Sequence, residues 1–314
     1  MKKILVCGAT GFIGKNVTLG LAKNKNYEIH AVRFKRLAYK TSDNVKWHKV
    51  DLRNPISVDK LVKGMDIIIQ AAATTSGSKD IVSKPHIHVT DNAVINSFIF
   101  RSAYSHKVKH FIFPSCTVMY PSSKKATKES DFTGDIIDKY KGAGETKVYL
   151  EKIAKFYSML CKTKFTIIRH SNIYGPHDKY DLDKSHVFGA TITKVMRAEN
   201  ILEVWGDGSE IRDFLYADDL VNFIKKVINK QKTSYEIFNC GSGKPVTIKK
   251  LCAMIVKNSK KSLKITFNKN KPTIPFDMYL NCNKAKKQLN WEPKVDLDKG
   301  IKKTLSWWEN NIKK

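Results

Sequence analysis

The sequence predicts a doubly wound α/β fold on a parallel sheet, and two observations predict it. In the first half, short apolar runs of strand length alternate with stretches of helical spacing, the pattern of linked β-α-β units. Between the first strand and the first helix stands a glycine loop, Gly8-Ala9-Thr10-Gly11-Phe12-Ile13-Gly14. In order, Lys3 to Cys7, Glu28 to Phe34, Val45 to Asp51, Asp66 to Ala71, His110 to Ser115 and Phe165 to Arg169 read as strands. Ile13 to Ala22, Ser57 to Val62, Asn92 to Tyr104 and Thr146 to Leu160 carry helical spacing between them. After about Asn172 the texture changes to loops rich in Gly, Pro, Asp and His, with helices at Val187 to Arg197, Ile248 to Val256 and Gly300 to Trp308. The expected organisation is a dinucleotide-binding unit over residues 1–172 and a smaller mixed α/β substrate region over 173–314, with segments around 212–240 returning to the first. No repeat or low-complexity linker divides the two, so they are expected to pack closely and share a cleft.

Composition excludes several classes. The chain has 314 residues and a formal net charge of +28, which invites a polyanion partner. Most of the excess is lysine spread along the whole chain, with no basic helix block and no nucleic-acid module. Solvated faces are the expectation, and nucleic acid is not an expected partner. The six cysteines, Cys7, Cys116, Cys161, Cys240, Cys252 and Cys282, form no C-x-x-C pair and no metal-ligand rhythm. Neither disulfides nor a metal is expected, and a reducing cytoplasm fits. No run reaches the roughly 18 apolar residues of a membrane span, and no signal peptide is read at the N-terminus.

Strand, glycine loop and helix in that order give the loop its meaning: it is the pyrophosphate cradle of a Rossmann dinucleotide site. Glycines let the chain turn sharply, and the diphosphate can then approach the amides of Phe12 and Ile13 at a helix N-terminus, where the dipole favours negative charge. At the end of the second strand an acidic residue would accept the ribose 2′-hydroxyl of NAD. Here Ala31-Val32-Arg33-Phe34-Lys35-Arg36 offers cations instead, which suit a 2′-phosphate and predict NADP(H). Asp51 and Leu52 after the third strand, and Ala71 and Ala72 after the fourth, are expected to border the cofactor.

With these features in place the chain resembles the extended short-chain dehydrogenase/reductases, and more narrowly the GDP-L-fucose synthases. The resemblance rests on the glycine loop, Gln70-Ala71-Ala72-Ala73, Asn92, the Ser115 to Pro121 segment, Lys147 with Glu151, and Phe238-Asn239-Cys240-Gly241-Ser242-Gly243. More specific are Asn172-Ile173-Tyr174-Gly175-Pro176-His177-Asp178, Ser185-His186-Val187, Val204-Trp205-Gly206-Asp207-Gly208 and Arg212-Asp213-Phe214-Leu215. It implies NADPH-dependent reduction of a nucleotide-activated 4-keto sugar at C4, with 3,5-epimerisation in the fucose synthase branch, in surface-polysaccharide sugar synthesis. It also implies a GDP-sugar as the favoured substrate and a homodimer formed through the helices at Asn92 to Tyr104 and Thr146 to Leu160.

The family's catalytic trio is Ser or Thr, Tyr, and Lys four residues after the Tyr. Family spacing places the Lys at Lys147 and the Tyr position at Ala143, within Gly142-Ala143-Gly144-Glu145-Thr146-Lys147. Tyr140 and Tyr149 are near but out of register. Alanine cannot give a proton to a ketone oxygen, and losing that acid slows such a step by about 10²–10⁴. Three readings stay open: a substituted variant whose parent carries tyrosine there, a natural enzyme with another donor, and a non-catalytic NADP(H)-binding relative. The Ser/Thr position falls on Cys116. A thiol donates weakly, so Thr117 or Ser115 is the alternative grip on the substrate oxygen.

The fucose synthases' second pair of proton movers, a His and a Cys, maps to His186 and, without gaps, to Val118. Only a two-residue slide brings Cys116 there, which weakens the case for epimerisation. A dehydratase is disfavoured because Cys116-Thr117-Val118-Met119 lacks the acid-base carboxylates that removing water needs. For a diphosphate-bearing substrate, Lys194 and Arg212 are the expected cations, Asn172 a cleft contact and Trp205 a border for the base. The competing enzyme is a 4-epimerase or 4-dehydrogenase with tightly held NAD, against which Arg33 argues.

Overall fold

The computed structural model describes residues 1–75, 83–271 and 273–312. The elements in chain order begin with β1 (Lys2–Cys7), α1 (Phe12–Ala22), β2 (Tyr27–Arg33), β3 (Val45–Lys49), α2 (Pro55–Val62) and β4 (Ile67–Gln70). They continue with α3 (Thr90–Ser105), β5 (His110–Pro114), α4 (Lys141–Leu160), β6 (Lys164–His170), β7 (Asn172–Tyr174), α5 (Val187–Arg197), β8 (Ile201–Trp205), β9 (Ile211–Arg212) and β10 (Phe214–Tyr216). The last are α6 (Ala217–Lys230), β11 (Tyr235–Cys240), β12 (Val246–Thr247), α7 (Ile248–Asn258), β13 (Lys264–Asn268), α8 (Asn283–Leu289) and α9 (Leu297–Asn311).

Seven parallel strands form the main sheet in the order β11-β6-β5-β4-β1-β2-β3. The order reverses at β1, so the crevice above the carboxyl ends of β1 and β4 is the switch point where such folds bind ligands. Alternation along β1 sends Ile4 and Val6 to one face and Leu5 and Cys7 to the other. The first face packs with Val17, Leu21, Phe223 and Ile224 of α1 and α6; the second packs with Val58, Ile99, Phe100 and Leu150 of α2, α3 and α4. Cover on both faces is why β4 and β5 are buried at every position. The Rossmann architecture is thus the doubly wound parallel sheet expected from the alternation.

The substrate region is not a separate body. β11 pairs with β6 and extends the sheet, and Trp291 sits in the same apolar cluster as Ile4. A second core, with Tyr174, Phe188, Ile192, Leu202, Leu251, Ile301 and Trp308, holds the lobe beside it. There β8 pairs in parallel with β13 and β7 in parallel with β10, while β9 and β12 pair antiparallel, short strands for which the sequence carries no clear local signal.

One boundary bears on the site. The expected start of the helix at Thr146 moves to Lys141, so Ala143 stands in its first turn. Gly142 and Gly144 weakened the helical signal, since each costs about 1 kcal/mol against alanine. Packing explains Gly144: a Cβ there would lie 2.8 Å from the Ile136 side chain.

Candidate active site

The glycine loop leaves β1 with Gly8 at φ +71°, a backbone that side chains resist, and a Cβ on Gly8 would also stand 2.7 Å from the Ala72 amide nitrogen. A Cβ on Gly14 would overlap the Gly8 carbonyl. The three glycines thus bring the turn, the helix and the end of β4 within contact of one another. Gly11 is the N-cap of α1 and carries no side-chain cap. The amides of Phe12, Ile13 and Gly14 have no carbonyl one turn earlier and point out of the helix end as donors for an anion. This cradle fits a dinucleotide diphosphate.

At the ribose end, Arg33 reaches the Arg36 carbonyl at 3.5 Å, and Arg36 reaches back over the loop to the Thr10 carbonyl at 3.3 Å. Asp51 is bound by Arg53 at 2.8 Å, and Arg53 lies over the Phe34 ring. The Asp51 carboxylate is held below its usual range by that hydrogen bond to Arg53. Leu52 is buried in the core beneath, while Ala71 and Ala72 are half-buried beside the loop, with the Ala71 amide donating to the Cys7 carbonyl. Asn92 fixes the next stretch by accepting from the Thr74 amide at 2.8 Å. The Gly175-Pro176 loop ties both walls together: Asn16 of α1 donates to the Pro176 carbonyl, and Lys179 donates to the Thr75 carbonyl.

Lys147 is half-buried over the Phe113 ring and donates to the Pro114 carbonyl at 3.2 Å. Burial lowers its pKa. Ala143, four residues earlier, is partly exposed. Cys116 follows β5 and packs with Tyr140 against Met119, Ile136 and Val148; burial raises its thiol pKa, opposed by the charge of Lys147. Thr117 is almost buried.

Ser115 points elsewhere. Its hydroxyl donates to Glu151 at 2.6 Å, and Glu151 pairs with Arg169 at 2.7 Å. Arg169 also donates to Tyr120, whose hydroxyl donates to Asn239. Ser115 is therefore a member of a buried polar network rather than a wall of the cleft.

Beside the sheet lies a cavity of about 480 Å³. Five residues singled out in the sequence line it together: Asn172, His186, Lys194, Trp205 and Arg212. Asn172 is held by Asp213, whose carbonyl accepts from both its amide and its side chain. The Asp213 carboxylate in turn accepts from Ser242, Gly243 and Leu280, which explains why Gly241-Ser242-Gly243 and Asp213 occur together. His186 is the N-cap of α5. Lys194 lies 5.0 Å from the centre of the Trp205 ring and donates to the Glu203 carbonyl. Arg212 donates to the carbonyls of Phe276 and Ile274.

Two residues at this site were not assigned a role from sequence. Tyr140 also lines the cavity, with its ring edge-on to Phe276. His170, at the end of β6, holds its Nδ1 2.8 Å from the Ser171 carbonyl, and burial pushes its pKa down to about 4. Among the described residues there is no cluster of three or more His, Cys, Asp or Glu placed to hold a metal, and no helix long and apolar enough to cross a membrane.

Residues 4–241 match the NAD dependent epimerase/dehydratase family. The chain belongs to that family. GDP-L-colitose synthase of Yersinia pseudotuberculosis is 27% identical over 98% of both chains. GDP-L-fucose synthase of Sinorhizobium fredii is 25% identical, over 99% of this chain and 96% of its own. Among solved structures, UDP-glucose 4-epimerase of Thermotoga maritima, determined with UDP-glucose, superposes with a TM-score of 0.88 over 99% of both chains at 24% identity. The family fold is the one described above.

Proposed function

We propose that this chain is an NADPH-dependent reductase acting at C4 of a nucleotide-activated 4-keto sugar, with a GDP-sugar favoured. The observation that carries the reading is the convergence of Asn172, His186, Lys194, Trp205 and Arg212 on one cavity. Gly8, Gly11, Gly14 and the amides of Phe12 and Ile13 would hold the cofactor diphosphate, and Arg33 and Arg36 its 2′-phosphate. Lys147 would donate to the nicotinamide ribose. The chemistry a bound nicotinamide dinucleotide supplies is hydride transfer to carbon. In the cavity, Lys194 and Arg212 offer positive charge to the sugar nucleotide's diphosphate, and Trp205, 37% exposed, offers a ring face for stacking. The two curated relatives named above are GDP-sugar synthases by name, which favours GDP over UDP.

The assembly proposed is a homodimer through α3 and α4, which expose Tyr104, Tyr149, Phe156 and Met159. Sedimentation equilibrium checks it: the expected mass is twice the chain's, and a monomer at micromolar concentration contradicts it.

The function is tested by thermal stabilisation, because a ligand that binds only the folded state raises its melting temperature. NADP⁺ is expected to stabilise more than NAD⁺, and GDP more than UDP. Protein purified with NAD already bound would instead favour the 4-epimerase reading, and no shift with any nucleotide diphosphate would remove the sugar-nucleotide site.

A further inference from the structure

Ala143 removes the phenol from the family position, yet a phenol remains at the site. Tyr140 closes a short 3-10 turn, Asp138–Tyr140, and is the N-cap of α4. Seven residues separate it from Lys147, so at about 100° per residue the two fall within about 20° of one another around the axis, with Ala143 between them in the chain. Tyr140 borders the same cavity as Asn172 and His186, and it packs in one cluster with Cys116, the residue at the family's Ser/Thr position. Edge-on contact with Phe276 holds the ring, and Lys139, its chain neighbour, is tied to the Thr273 carbonyl at 2.8 Å. Among the described residues its hydroxyl has no hydrogen-bond partner, which leaves it available to a ligand.

Three neighbouring protic groups are poorly placed or poorly suited to give the proton. His170 directs its Nδ1 at the Ser171 carbonyl, which leaves Nε2 an acceptor without a proton. Ser115 donates to Glu151, and Cys116 is a weak donor.

We propose that Tyr140 is the catalytic acid of this chain, giving its phenolic proton to the sugar's C4 oxygen from one turn before the family position. The proposal rests on the reductase reading above. In the step, the carbonyl carbon gains a hydride from the reduced nicotinamide, which is oxidised. The carbonyl π pair moves onto oxygen, the phenol O–H bond breaks, and the new alcohol O–H bond forms. Water then returns a proton to the phenolate. Burial raises the Tyr140 phenol, opposed by Arg212, so it is protonated at neutral pH as a donor must be.

The test is Tyr140→Phe, assayed with NADPH and GDP-4-keto-6-deoxymannose. The expected result is a fall in kcat of about 10²–10⁴-fold with KM unchanged. A readout without cofactor accompanies it: in tyrosine-labelled protein, the ring resonance missing from Tyr140→Phe is expected to shift when GDP-mannose is added. Equal kcat in the two proteins, or no shift of that resonance, overturns the assignment while the reductase reading stands. A wild-type protein that binds GDP-mannose but transfers no hydride overturns both.

Discussion

Ser115 donates its hydroxyl to Glu151 at 2.6 Å, and Glu151 returns two oxygens to the guanidinium of Arg169. Both charged side chains are almost fully buried, at 6% and 4% exposure, so neither has water to replace its partner. Glu151→Ala is expected to cost about 3–5 kcal/mol in urea unfolding, because it strands a buried cation. Ser115→Ala is expected to cost about 1 kcal/mol and to leave nucleotide-sugar affinity unchanged. Loss of that affinity would place Ser115 at the substrate instead.

Arg33 and Arg36 set the cofactor preference if the 2′-phosphate lies between them. A hydrogen bond to a charged group contributes about 1.5–3 kcal/mol, so replacing both by alanine is expected to weaken NADP⁺ binding by at least about 10- to 100-fold. NAD⁺ affinity is expected to change little. Calorimetric titration of both cofactors measures the two directly, and equal losses for each would remove the charge reading.

Asp178 gives a pH signature. Burial raises its carboxyl to about 7, opposed by the Lys179 amide, which donates to it at 2.7 Å. A carboxyl raised in the folded state binds its proton more tightly there than in the unfolded chain. Its contribution to stability therefore falls as pH rises from about 4 through about 7. Asp178→Asn is expected to raise the melting temperature strongly at about pH 8 and by clearly less at about pH 5, where only the first part of the pH-dependent loss has occurred. An equal change at both values contradicts the assignment.

The parts of this site that were legible in the sequence are those fixed by short-range geometry. Gly8, Gly11 and Gly14 announce a turn because a local backbone needs them, and Arg33 ends a strand whose length the apolar run sets. Asn172 could be read as a cleft residue because it stands at a strand end, and Arg212 through the Arg212-Asp213-Phe214-Leu215 segment that carries the family resemblance. What stayed hidden depends on partners far along the chain. Whether Ser115 faces substrate or core is decided by Glu151 and Arg169, on α4 and β6. Tyr140 stands out of register with Lys147 by family spacing, and spacing alone says nothing of where its ring packs. With the helix beginning at Lys141, the same residue caps it and enters the cavity. The strands β8 and β13 are short and their pairing partner lies more than sixty residues away, so no local signal marks them.

The proposed reaction is hydride transfer to C4 of a nucleotide-activated ketone. Its most direct measurement is to incubate the protein with NADPH deuterated at the transferring position and GDP-4-keto-6-deoxymannose, and then to analyse the sugar by mass spectrometry and NMR. One deuterium per product, at C4, is the expected result. A product without deuterium, or recovery of the unchanged ketone under conditions where NADPH and GDP-mannose both bind, would contradict it.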